Sequence, residues 1–118
     1  MIREWNDICA FYERLSSKDN KFLSLFNLVV SIRDSKYSNH IYGWISVCDL
    51  YIVLNEVKYP YDGPKLLVIQ LESNKLEFRY IDTYMVERQW KRVFDGSDGF
   101  GKLEEFFFDI QWFYPNFI

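Results

Sequence analysis

Apolar residues recur at three- and four-residue steps over positions 2–15, which predicts an amphipathic helix. At about 100° per residue, Trp5, Ile8, Cys9, Phe11, Tyr12 and Leu15 share one side. Arg3, Asn6, Asp7, Ala10, Glu13 and Arg14 share the other, and Ser16–Asn20 is a polar stop. Residues 22–33 fit two periods. Phe22, Leu25, Phe26, Val29 and Ile32 match a helical face, whereas Phe26, Leu28, Val30 and Ile32 alternate as in a strand. The β-branched Val29-Val30 and the break at Arg33-Asp34-Ser35-Lys36 favour the strand.

Residues 41–54 are rich in Ile, Val, Tyr and Trp without a helical stripe, and predict one long strand with Asp49 at its middle. Tyr59-Pro60-Tyr61-Asp62-Gly63-Pro64 reads as a loop. Lys65–Leu71 and Leu76–Asp82 are strand-like runs joined by Glu72-Ser73-Asn74-Lys75, a β-hairpin. Residues 89–94 alternate as a further strand and end at Asp95-Gly96. Ser97 or Asp98 suits the N-cap of a last helix over 98–112, with Phe100, Leu103, Phe106, Phe107 and Ile110 toward the core and Tyr114-Pro115 as its stop. The order predicts a single α+β domain over 1–118. Four to five mostly antiparallel strands carry N-terminal and C-terminal helices packed on one face, because the short connections suit hairpins.

Composition sharpens this picture. Of 118 residues 20% are aromatic and 49% apolar, so even a small domain can bury a substantial core. Fourteen basic residues against 17 acidic ones give a net charge of −3 and are interleaved, which disfavours nucleic-acid and membrane-surface binding. Cys9 and Cys48 stand among apolar neighbours and read as buried small hydrophobes rather than a disulfide. The N-terminal charges do not suit a signal peptide and no apolar run reaches the ~20 residues that span a bilayer, so a cytoplasmic location is expected.

Little of the chain carries recognisable chemistry, and no cofactor or metal is expected. Gly96-Ser97-Asp98-Gly99-Phe100-Gly101 lacks the Lys-Ser/Thr of a phosphate loop, and Asp95 and Asp98 would repel an anion. His40 lies in a polar loop, and one histidine with two distant cysteines does not show metal-ligand spacing. A Cys48–His40 nucleophile pair requires the fold to bring the two together. Glu72, Glu77 and Asp82 lie on or beside the hairpin, and Glu77 with Arg79 reads as a surface ion pair. Asp49 needs a partner if its strand is central, and Arg33 or Arg79 could serve.

Two surfaces suit binding. On the last helix, Phe108 and Trp112 fall about 140° and 180° from Leu103, in line with Glu104 and flanked by Glu105 and Asp109. Such an aromatic stripe with carboxylates suits a basic protein partner. Tyr59, Tyr61 and Asp62 on a proline-stiffened loop would add a preorganised contact. In size, acidity and aromatic content the whole chain resembles the bacterial immunity proteins. That resemblance implies a cytosolic inhibitor whose acidic surface masks a toxin's basic active site. The leading expectation is a non-enzymatic protein-binding module. One rival is a small enzyme or ligand-binding domain using a pocket between sheet and helices, with Asp49, Arg79, Tyr80 and Asp82 near it; another is a homodimer joined through Phe108 and Trp112.

Overall fold

In a computed structural model, which describes residues 1–55 and 63–112, helix α1 spans Trp5–Lys18. It buries Trp5, Ile8, Cys9 and Tyr12, while Phe11 and Leu15 are half-covered at the margin of the predicted stripe. The Asp19 carboxylate accepts the Lys21 N–H at 3.1 Å and opens a 3₁₀ turn, Asn20–Phe22, that leads into α2, Leu23–Arg33.

The strand expected over 22–33 is therefore a helix. Its buried residues Ser24, Leu25, Leu28, Val29 and Ile32 follow the helical period. The N-cap residue, Phe22, has no side chain able to accept a bond, so no local capping signal marks this helix. The acceptor comes from elsewhere: Gln70 Oε1 takes the Leu25 N–H at 2.9 Å.

Five antiparallel strands follow in a meander of order β1-β2-β3-β4-β5. They are β1 Tyr42–Ser46, β2 Asp49–Val53, β3 Lys65–Gln70, β4 Lys75–Ile81 and β5 Trp90–Asp95. The single strand expected over 41–54 is a tight hairpin, with Ser46 facing Asp49 across Val47-Cys48. Val47 adopts φ 60°, a left-handed conformation that β-branched residues rarely take, so the sequence carries none of the usual Gly, Asn or Asp turn signal. Asp49 consequently opens β2 rather than standing mid-strand. The β3–β4 hairpin occurs where expected, with Ser73 and Asn74 both at positive φ as a type I′ turn requires.

Register sorts the side chains into two faces. Leu50, Val68 and Phe78 align across three strands, as do Ile52, Leu66 and Tyr80, and together they form the core with the helices. The opposite face carries Trp44, Tyr51, Leu67, Arg79 and Lys91 in one row, with Ile69, Glu77 and Val93 in the next. Trp44 stacks on Tyr51 with ring centroids 5.2 Å apart.

Helix α3, Gly99–Asp109, closes the core with Leu103, Phe106 and Phe107. Buried polar bonds tie the layers: the Tyr12 hydroxyl donates to the Cys48 carbonyl at 3.0 Å, and the Trp5 indole N–H to the Ile41 carbonyl at 3.2 Å. The architecture is α+β, with helices from both ends of the chain on one face of the sheet.

Candidate interaction surfaces

On α3, Glu104, Glu105, Phe108 and Asp109 are all exposed, with Glu105 and Asp109 bordering β5. Phe108 is 73% exposed, the largest aromatic exposure on the helix. The carboxylates around it have partners of modest strength. Glu104 Oε2 accepts the Tyr37 hydroxyl at 2.9 Å, Glu105 lies 3.2 Å from the Lys102 ammonium, and Asp109 stands 4.0 Å from Arg92. Burial, together with the bond to Glu104, pushes the Tyr37 phenol up to about 12. The two exposed ion pairs, at Glu105 and Asp109, are worth about 0–1 kcal/mol each and can be exchanged for partner contacts, whereas the Tyr37 hydroxyl bonded to Glu104 belongs to a buried ring.

Trp112 does not extend this line. The helix ends at Asp109 rather than 112, and Gln111 turns left-handed at φ 57°. The Gln111 and Trp112 N–H groups bond the carbonyls of Phe108 and Phe107, both at 3.2 Å, which is the Schellman termination. The turn folds the indole back on Phe106 and Phe107, at centroid distances of 5.0 and 5.8 Å. The helical projection fails there because a residue in the left-handed region breaks the 100° step. The ring predicted outside is half-buried.

The four residues expected near a pocket divide between the two sides of the sheet. Asp49 and Arg79 share the outer face, where Arg79 ion-pairs with Glu77. Burial raises the Asp49 carboxyl; the Arg79 charge opposes that rise and the Glu77 charge adds to it. Arg79 acts on Asp49 through its charge alone, with no ion pair between the two, and Arg33 pairs with its neighbour Asp34 at 2.9 Å. The expected surface pair of Glu77 and Arg79 exists, but its Glu77 end is only 7% exposed. The signal for that burial is the pair of apolar residues, Ile69 and Val93, that flank Glu77 in register.

Tyr80 and Asp82 lie on the helix-bearing side, their oxygens 3.5 Å apart. Asp82 is 2% exposed and holds the turn after β4 by accepting the N–H groups of Tyr84 and Met85 at 3.0 and 3.1 Å. That is a structural role for a buried carboxylate.

Glu72 is exposed beside Lys21 at 3.6 Å. Cys48 and His40 stand at opposite ends of β1, separated by about 16 Å of extended chain. Among the described residues no three His, Cys, Asp or Glu side chains are grouped to share a metal ion, and no helix is long and apolar enough to cross a membrane. Tyr59, Tyr61 and Asp62 lie outside the described residues. A groove of about 350 Å³ runs between β5 and α3, lined by Trp90, Arg92, Phe94, Lys102, Glu105 and Asp109. Sequence reasoning missed it because alternation over 89–94 identifies a strand but not its place at the sheet's edge. No family model, curated protein or solved structure matches this chain.

Proposed function

We propose that the chain is a non-enzymatic protein-binding module that docks a basic partner through the outward side of α3. The observation that carries this reading is Phe108, 73% exposed on a regular helix with Glu104, Glu105 and Asp109 around it. Covering that ring in an interface would contribute about 2 kcal/mol, and aromatic anchors dominate binding energy. The carboxylates would steer a cationic surface toward it and set the rate of encounter. A cytosolic inhibitor of the immunity type, masking a basic active site, is the partner relationship that the chain's size, acidity and aromatic content support.

The test is capture from the native host with wild type and Phe108→Ala, followed by kinetics on the recovered partner. Phe108→Ala should speed dissociation. Glu105→Ala and Asp109→Ala should slow association and reduce its salt dependence. Unchanged affinity in all three variants refutes the assignment. A second reading, a small-ligand site on the outer sheet face, is favoured by Asp49, Glu77 and Arg79 sharing that face, with Glu77 only 7% exposed and ion-paired to Arg79. It predicts that Asp49→Asn abolishes binding of that ligand and leaves the α3 partner unaffected.

A further inference from the structure

The two edges of the sheet differ. Beside β1, the Arg3 N–H bonds the Gly43 carbonyl at 3.0 Å and the Trp5 indole takes the Ile41 carbonyl, so the N-terminal segment occupies that edge. Beside β5 no described element pairs, and the strand ends the order. An open edge is a template for another strand.

The hydrogen-bond phase of β5 can be read from its end. Gly96 N–H bonds the Asn74 carbonyl at 2.7 Å, one step beyond the Lys75–Asp95 pair. Antiparallel pairs alternate, so Phe94, Arg92 and Trp90 exchange bonds with β4. Lys91, Val93 and Asp95 then direct their N–H and C=O groups outward. Their side chains share the outer face, where Val93 is 52% exposed.

We propose that a second copy of this chain pairs antiparallel with β5 about a two-fold axis at Val93, continuing the sheet across both molecules. Charge selects this register. With Val93 facing its own copy, Lys91 meets Asp95 of the second copy, and the reverse, while about six backbone hydrogen bonds form over the three pairs. A register centred on Arg92 sets two guanidinium groups against each other. One centred on Phe94 carries Lys91 past the end of the strand.

Within its own sheet Lys91 faces Arg79, a like charge, so Asp95 of the second copy supplies the complement that β4 does not. Asp95 faces Lys75 at 3.6 Å in an exposed pair, and its carboxylate would be shared between the two lysines. On the helix side there is room. Arg92 projects there with a side chain 62% exposed, and among the described residues a groove of about 350 Å³ separates β5 from α3. That groove carries Arg92 and Lys102 against Glu105 and Asp109, so the helix side of this edge presents mixed charge to a second copy.

Sedimentation equilibrium over a concentration series tests the pairing on the full chain. Wild type should associate reversibly to a dimer. Lys91→Glu should raise the dissociation constant about tenfold, because two opposite-charge pairs become like-charge pairs. The same substitution sets a carboxylate across from Arg79, so thermal unfolding of the variant should show an intact fold. Asp95→Lys sets a lysine across from Lys75, so its fold is checked by the same thermal unfolding; it should weaken the dimer similarly, and the double reversal Lys91→Glu/Asp95→Lys should restore it. Phe108→Ala should leave the dimer unchanged, which separates this surface from the α3 face. A wild type that stays monomeric, a Lys91→Glu variant that dimerises like wild type, a double variant no tighter than either single, or a dimer lost in Phe108→Ala would overturn the proposal.

Discussion

Replacing Gln70 with leucine tests whether α2 is held as a helix by a contact 45 residues away. Gln70 is 8% exposed. Its Oε1 accepts the Leu25 N–H at 2.9 Å, and its Nε2 donates to the carbonyls of Leu71 and Lys75 at 3.1 and 3.0 Å. Leucine keeps much of the volume but leaves the Leu25 N–H, one of the helix-start donors, without an acceptor in the core. A buried orphan donor costs about 1–3 kcal/mol. The Lys75 carbonyl keeps the Leu71 N–H at 2.8 Å, so its loss is small. The extra apolar carbon of leucine returns a fraction of the cost, leaving a net destabilisation of about 2 kcal/mol. For a domain of this length that is a fall of about 8 °C in Tm, readable by circular dichroism. Amide exchange should quicken first at Leu25 and its neighbours in α2. A variant as stable as wild type, with the Leu25 amide equally protected, would show that the helix start needs no distant acceptor.

Val47→Gly should stabilise the β1–β2 hairpin. Relief of a β-branched residue at φ 60°, less the entropy glycine adds to the unfolded chain, nets about 1 kcal/mol in urea unfolding. Gly96→Ala should destabilise by about 3 kcal/mol, since its Cβ would stand 2.1 Å from Ser24 Oγ and 2.6 Å from the Asn74 carbonyl oxygen. Gly101→Ala, with nothing within 4 Å of the added carbon, should instead stabilise α3 by about 1 kcal/mol, and the opposite signs make the pair a test of packing against propensity. Asp49 titrates above its unfolded value, so the folded state holds the extra proton and stability declines as pH rises from the ordinary carboxylate range through the raised one. Asp49→Asn should raise Tm at neutral pH and flatten that decline, as thermal melts across pH 4–7 would show.

Where local pattern and tertiary demand agree, the chain was legible from its residues. The stripe Trp5–Ile8–Cys9–Tyr12 becomes the buried side of α1, the Glu72–Lys75 connection becomes the β3–β4 turn, and Leu103, Phe106 and Phe107 become the inner face of α3. Phe108 was placed outside by the same periodicity and is there. Periodicity succeeds in these elements because each buries one face against the rest of the molecule, and apolar spacing records which face.

The tertiary structure decided what no local signal encodes. Residues 23–33 satisfy two periods, and the Gln70 amide that caps them is supplied by β3. Val47-Cys48 carries no turn chemistry, so bonds from its neighbours, among them Tyr12 to the Cys48 carbonyl, hold a turn that the pair would not choose alone. Trp112 is turned inward by a left-handed Gln111. Asp49 and Arg79 share a face, whereas Tyr80 and Asp82 lie across the sheet, because pairing register and strand alternation assign each residue a side. Sequence spacing fixes the angle of a side chain about its own element; which neighbour waits at that angle depends on contacts made tens of residues away.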